Sequence, residues 1–279
     1  MATGPQNERQ RAQAEALQRA RLALENSRAA DAERLAGEVL GADSGHVEAT
    51  KILGYALLMQ GRADEAVDPL EKAARASRDP EIETQLAIAL RQAGDSDKAL
   101  TWLKRAVKRT PPFAPAFHEL GFVLHSLDRS GEAVDVLRQG LAVAPMMTEM
   151  AIQLGFVCYA VNDRANAGAA FAHALAVNPA HPEAVQGLGT VLMDQGNFAR
   201  AAELFRGALS ADPDDTLARI ALGKCLLELG DTEGGLACMR AASARGGESY
   251  GKVIAALLSS GHGRFWLHAS GAAKFLKGG

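Results

Sequence analysis

The stretch GLGTVLMDQGNFARAAELFRGALSADP, residues 187–213, decides the fold. It contains two apolar segments of helical period, separated by the turn residues QGN at 195–197 and closed by a proline. Gly189 and Ala201 are small, whereas Phe205 is large. This arrangement predicts two helices that approach closely where their small residues meet.

The same spacing of small and large residues recurs every 33 or 34 residues. A small residue opens each copy of the pattern: Gly54, Ala87, Gly121, Gly155, Gly189 and Gly223. Another small residue follows twelve positions later: Ala66, Ala99, Ala133, Ala167, Ala201 and Gly235. A bulky apolar residue comes four positions after that: Leu70, Leu103, Leu137, Phe171, Phe205 and Met239. A helix pair of this length cannot bury its apolar face alone, so neighbouring pairs must stack.

The repeated pattern resembles the tetratricopeptide repeat family. The resemblance implies an all-α fold, a right-handed superhelical solenoid of antiparallel helix pairs, whose inner groove is lined by the first helix of each pair. We expect a polar N-terminal extension at 1–12, and a capping helix followed by an apolar tail at 250–279. Seven repeats lie between them: 13–46, 47–79, 80–113, 114–147, 148–181, 182–215 and 216–249.

Composition excludes several classes of function. The net charge of −3 and the pI near 6.2 argue against nucleic acid as a partner. No apolar run is long enough for a signal peptide or stable membrane insertion, which predicts a cytoplasmic protein. Arginine outnumbers lysine by 21 to 9, as is typical of a GC-rich bacterial genome.

The groove is the predicted binding site. The resemblance places one groove position just after each early small residue: Arg21, Tyr55, Ile88, Phe122, Phe156, Thr190 and Lys224. Apolar and aromatic side chains occupy its central members, and such side chains are favoured anchors for a partner. We therefore predict a peptide-binding groove formed by Tyr55, Met59, Ile88, His118, Phe122, His125, Ile152, Phe156, Tyr159 and Met193. Some of these residues could instead pack against neighbouring repeats: Ile88, Ile152, Tyr55, Phe122, Phe156 and Tyr159.

The predicted function is that of a non-catalytic scaffold or adaptor that binds a protein or peptide through apolar anchor residues. The basic clamp by which one subgroup of the family binds chaperone C-termini is not visible, because the matching positions carry Tyr55, Ile88 and Phe122. The alternative is a structural or self-assembly module acting through its convex face or its C-terminal tail, with a homo-oligomer as one outcome.

Sites for chemistry are not expected. His118 and His125 are seven residues apart and lack further metal ligands nearby in sequence, so we predict no metal and no cofactor. Cys158, Cys225 and Cys238 match no metal spacing and are expected to be reduced core thiols. No nucleophile with an adjacent base and no phosphate loop is present, so we do not expect an enzyme.

Two segments have open interpretations. The basic segment LKRAVKRT at 103–110 is expected to be a solvated outer face, with an acidic partner as the alternative. The tail contains Phe265, Trp266, Leu267, Phe275 and Leu276, which are too apolar for a free end. It is expected to cap the seventh repeat or to dock to a partner or a second copy of the chain.

Overall fold

A computed structural model describes residues 5–244, 251–253 and 255–257 of the chain. Across these ranges the chain is helical between short turns, and they contain no strand. The helices are α1 (Pro5–Glu25), α2 (Ala29–Ala42), α3 (Val47–Met59), α4 (Ala63–Ser77), α5 (Pro80–Gln92), α6 (Ser96–Ala106), α7 (Ala114–Ser126), α8 (Ser130–Val143), α9 (Thr148–Ala160), α10 (Arg164–Val177), α11 (Pro182–Asp194), α12 (Phe198–Ala211), α13 (Thr216–Glu228) and α14 (Thr232–Ser243), followed by helical residues at 251–253 and 255–257.

The helices belong to two compact units. The N-terminal unit is Met1–Pro145 and contains α1 to α8, and the C-terminal unit is Met146–Gly279 and contains α9 to α14. Within each unit every helix packs against the next, and each first helix of a pair also contacts the first helix of the following pair. Each unit is therefore an all-α solenoid of helix pairs.

The first helices begin at the residues where the sequence pattern starts its repeats. From the second pair onward these residues are 47, 80, 114, 148, 182 and 216. The first pair differs, since α1 already begins at Pro5 and so includes most of the segment expected to be an N-terminal extension.

In the repeats that have a glycine at the early small position, the bulky residue of the second helix packs into the notch left by that glycine. Phe205 lies against Gly189, and a Cβ atom added to that glycine would lie 2.8 Å from Cε2 and 2.9 Å from Cε1 of the ring. Leu70 and Leu137 fill the corresponding notches at Gly54 and Gly121. Such side chains are almost completely buried, so the spacing found in the sequence marks the points of closest helix approach.

Each pair turns between its helices through a residue in the left-handed conformation. Glycine supplies this residue in four pairs, where a side chain would strain the backbone. Asp128 and Asn162, whose short polar side chains tolerate this region, supply it in two others. The residues and their φ angles are Ser27 (56°), Gly61 (72°), Gly94 (89°), Asp128 (59°), Asn162 (64°), Gly196 (72°) and Gly230 (83°).

Aspartate caps three of the second helices. The carboxylates of Asp95, Asp163 and Asp231 accept hydrogen bonds from the backbone N–H groups three residues later, at distances of 2.9 to 3.1 Å. An N-cap of this kind contributes about 1 kcal/mol to helix stability. The turn and the cap together fix where each second helix begins.

A buried ion pair corrects the interpretation of the basic segment at 103–110. Glu83 on α5 is fully buried, and its carboxylate accepts hydrogen bonds from Arg105 at 3.2 Å and from Arg109 at 2.6 and 3.2 Å. The Arg105 guanidinium also lies over the ring of Trp102. Two of the four basic residues thus neutralise a core carboxylate instead of forming a purely solvated face.

The last described residues cover the seventh repeat. Val253 and Leu257 are buried against Leu227, Met239 and Ala242 of α13 and α14. This contact shields the apolar side of the final pair from solvent, as a capping helix does. The apolar residues of the tail, Phe265, Trp266, Leu267, Phe275 and Leu276, lie outside the described residues.

We expect Gly189→Ala to lower the free energy of unfolding by about 1–3 kcal/mol, because the new methyl group would overlap the rigid, buried ring of Phe205. Gly207→Ala in α12 of the same repeat is the matched control. No atom lies within 4 Å of a Cβ added there. The control should gain up to about 1 kcal/mol from helix propensity. Urea unfolding followed by circular dichroism measures the free energy of unfolding of both variants. Equal changes in the two variants would contradict the packing of Phe205 against Gly189.

Candidate functional site

The first helices present the predicted groove residues unevenly. In the N-terminal unit Tyr55, Met59, Phe122 and His125 are exposed, whereas Ile88 and His118 are half-buried. In the C-terminal unit Phe156 is exposed, and Tyr159 and Met193 are half-buried. Phe122 and Phe156 each expose 46% of their surface, which is high for aromatic residues.

Ile152 is a correction to the predicted site. Only 4% of its surface is exposed, so it is a core residue of α9 and cannot contact a partner. It lies four residues before Phe156, on the same side of the helix in a regular helical projection. A pattern read from one helix does not show how deeply the neighbouring helices cover it. Ile88, the other isoleucine for which packing was the alternative, keeps part of its surface accessible.

Phe122 is held by an arginine from the preceding repeat. The guanidinium carbon of Arg91 on α5 lies 4.7 Å from the centroid of the Phe122 ring on α7. The same guanidinium is 3.6 Å from Glu119, one turn before the ring. The cation–π contact and the ion pair together limit the rotamers of Phe122. The exposed part of the ring is therefore already oriented before any partner arrives.

A polar cleft of about 230 Å³ lies beside Tyr55. The Tyr55 hydroxyl donates a hydrogen bond to Glu81 at 3.2 Å, and the Lys51 ammonium also donates to Glu81. Burial, and after it the negative charge of Glu81, raises the pKa of Tyr55. Burial alone would lower the pKa of Lys51, but its hydrogen bond to Glu81 and the neighbouring carboxylates raise it. Both side chains keep their protons at neutral pH.

The cleft is closed at its N-terminal side by a second ion pair. Arg21 on α1 donates through Nε to Glu48 on α3 at 3.0 Å. Leu24 and Ile52 contribute apolar walls between the charged groups. The cleft therefore combines fixed charges of both signs with apolar surface.

Tyr159 belongs to a brace between α9, α10 and α11. Its hydroxyl donates a hydrogen bond to Asp194 at 2.7 Å, and the Arg164 guanidinium carbon lies 3.8 Å from the centroid of its ring. Arg164 also donates to Asp194 at 3.1 Å and to the Tyr159 carbonyl oxygen at 2.7 Å. The hydrogen bond to Asp194, followed by burial, raises the pKa of Tyr159. One face and the polar tip of this ring are thus already occupied.

Phe156 is anchored on the core. Its ring meets that of Phe171 edge to face, with centroids 5.1 Å apart and planes at 78°. Phe171 is itself fully buried against the notches at Gly155 and Gly187. Aromatic pairs in this geometry are favourable beyond the area that they bury. The outward face of Phe156 is consequently a rigid apolar surface.

The histidines and cysteines that the structure describes show no arrangement for metal chemistry. His125 shares a hydrogen bond with Ser130 at 2.9 Å, and across the residues that the structure describes no three histidine, cysteine or acidic side chains group as metal ligands would. Burial raises the pKa of Cys225 to about 11, and it also raises that of Cys238. Neither thiol is a good nucleophile at neutral pH.

Sequence reasoning missed the polar residues that surround the apolar ones. Lys51 lies four residues before Tyr55 and Arg91 lies three after Ile88, so each follows the face of its helix by ordinary helical spacing. Asp194 directly follows Met193. A search for charged residues one turn from each groove position would have found the first two. Their partners lie on neighbouring repeats, which one repeat's pattern does not specify.

Family models match most of the chain. Three models, each described as tetratricopeptide repeat, match residues 17–80 and 158–216, residues 83–105, and residues 192–257. No curated protein sequence matches the chain. None of the described helices is long and apolar enough to cross a membrane.

Several solved structures have the same fold, and three of them are MamA, PilF and YrrB. MamA (41-end) from Desulfovibrio magneticus RS-1 is 25% identical with a TM-score of 0.53, over 61% of this chain and 96% of that chain. PilF of Pseudomonas aeruginosa is 18% identical with a TM-score of 0.61, over 77% and 99%. YrrB, described as a TPR protein with an unusual peptide-binding site, is 18% identical with a TM-score of 0.52, over 66% and 95%. At 18% identity the likeness establishes the fold alone.

The brace at Tyr159 predicts a pH dependence. Because Tyr159 keeps its proton to higher pH when folded, its contribution to stability is complete below the ordinary tyrosine pKa of about 10 and is lost as the pH rises through the folded value. In a Tyr250→Phe background, the phenolate absorbance should rise in two transitions, one for Tyr55 and one for Tyr159. Both should lie above the ordinary tyrosine pKa of about 10. Asp194→Asn should lower the midpoint of Tyr159 alone.

Glu81→Gln is the reciprocal control, and it should lower the midpoint of Tyr55 alone. Part of the shift at Tyr55 should remain in this variant, because burial also raises its pKa. If Asp194→Asn moved neither midpoint, the hydrogen bond from Tyr159 to Asp194 would not be present in solution.

Proposed function

Because this chain belongs to the tetratricopeptide repeat family, we propose that it is a non-catalytic scaffold that binds a protein or peptide on the first-helix faces of its repeats. The partner inserts apolar anchor residues between Tyr55, Met59 and Phe122 on the N-terminal unit, or beside Phe156 and Met193 on the C-terminal unit. The chain supplies a preformed surface.

The observation that carries this proposal is the fixed orientation of the exposed aromatic rings. Phe122 is held under Arg91, and Phe156 rests on Phe171. Association costs about 0.5–1.5 kcal/mol for every flexible side chain that must be ordered. Rings already held in place avoid most of that cost, so two or three anchors are sufficient for micromolar binding, about −8 kcal/mol.

The charged residues beside the rings support specificity. Lys51, Glu81 and Arg91 lie within one or two turns of exposed apolar groups and are themselves paired. A partner that buries an apolar anchor must therefore leave these pairs intact or replace their contacts. The peptide-binding site named for YrrB is consistent with this use of the fold.

We expect the double variant Phe122→Glu, Phe156→Glu to lose its partner in affinity capture from the native cell extract. Each substitution places a charge where an apolar anchor is buried, and a lost anchor costs more than about 1 kcal/mol, so affinity should fall at least about fivefold. Titration of the identified partner, purified, into each protein by calorimetry measures the loss. Circular dichroism verifies that the variant is still helical.

The matched control is Val143→Glu, Val161→Glu. These valines are 40% and 45% exposed, one in each unit, and neither occupies a predicted groove position. Wild type and control should retain the same partner. A partner held equally by all three proteins would contradict binding on the first-helix faces, and would favour a structural role through the second helices or the tail.

A further inference from the structure

Residues 146–244 and residues 258–279 of the C-terminal unit have opposite net charge. Between residues 146 and 244 acidic residues outnumber basic residues by eleven to six. Residues 258–279 contain Arg264, Lys274 and Lys277 and no acidic residue. The same segment carries Phe265, Trp266 and Phe275. It is therefore both cationic and aromatic, whereas residues 146–244 of the same unit are anionic.

Part of the apolar surface at the end of the seventh repeat is already covered. Leu227, Met239 and Ala242 are already buried beneath Val253 and Leu257. The first helices of the same unit do offer such surface. Phe156 on α9 and Leu217 on α13 are 46% and 48% exposed, and α11 packs between these two helices.

We propose that residues 258–279 dock within the same molecule onto the first-helix face of the C-terminal unit, centred on Phe156 and Leu217. The aromatic residues of the segment cover the exposed apolar side chains. Its basic residues lie near the acidic residues of α9, α11 and α13, which are Glu149, Glu183, Asp194 and Glu228.

The length of the segment permits this arrangement. It begins directly after Leu257, which is fixed against α13 and α14. Twenty-two residues span at most about 70–80 Å when extended. Neighbouring packed helices lie about 8–10 Å apart, so α9 is within reach from α13. Tethering at such short range gives the segment an effective concentration of about millimolar, which favours docking within the molecule over pairing between molecules.

Docking of this kind would make the chain its own competitor. The segment and an external partner would use the same apolar face, so the segment would lower the affinity of this face for the partner until displaced. This consequence rests on the proposed function. The docking itself does not, because it is measured without any partner.

Trp266 provides the measurement. The chain has two tryptophans, and the other, Trp102, is buried in the N-terminal unit. In the full-length Trp102→Phe protein, fluorescence therefore reports on Trp266 alone. We expect its emission maximum to lie to the blue of the value in urea. Adding Phe156→Glu should shift the maximum to the red and increase quenching by acrylamide.

Two further variants test whether the change in Trp266 emission is specific to this face. Leu217→Glu, on a different helix of the same face, should reproduce the effect of Phe156→Glu. Val161→Glu, an equally exposed valine at the end of α9, should change neither emission nor quenching. Raising the salt concentration should shift emission in the same direction as Phe156→Glu, because it screens the attraction between segment and face.

Several results would overturn the proposal. Emission equal in wild type and both face variants would mean that the segment does not contact this face. A change in emission on dilution would mean that it docks on a second copy instead. If partner capture failed while Trp266 still responded to Phe156→Glu, the docking would stand and the proposed function would fall; the opposite pair of results would overturn the docking alone.

Discussion

The packing of one bulky side chain into one glycine notch is the contact on which the rest of the structure depends. It sets how closely the two helices of a pair approach, as Phe205 and Gly189 show in the sixth repeat. That approach fixes the position of the second helix, and the second helix supports the first helix of the next pair. An alternation of small and large residues therefore determines the fold, because a close-packed core tolerates little change in the separation of its helices.

The surface that we propose for binding is a consequence of the same packing. The side chains just after the notch residues point away from the core contact, which leaves Tyr55, Phe122 and Phe156 exposed without weakening the pairs. Each of them is nevertheless tied to the framework, through Glu81, Arg91 or Phe171. Glu81 and Arg91 belong to repeats next to those of Tyr55 and Phe122, whereas Phe171 belongs to the same repeat as Phe156. A single repeat could therefore not reproduce the whole site.

The fold was predictable from sequence to a large extent, and the resemblance to the tetratricopeptide repeat family is confirmed. The repeat period and the sizes of the packed residues can be read from the sequence, because the two helices of each repeat approach each other at the same positions. The site was less predictable. The burial of Ile152, the ion pairs of Glu83 and the stacking of Arg91 on Phe122 all depend on residues from another helix. Their partners differ from repeat to repeat, so no period records them.

The contacts of Phe171 limit how the sequence of the array can change during evolution. Its ring meets Gly155 of its own repeat and Gly187 of the next. A larger residue at either glycine would require a smaller one at 171, and that change would loosen the other contact. The residues at positions 155, 171 and 187 can therefore be substituted only together. Duplication of a single repeat at this point would separate Phe171 from one of its two glycines, which makes the junction a poor place for the array to gain or lose length.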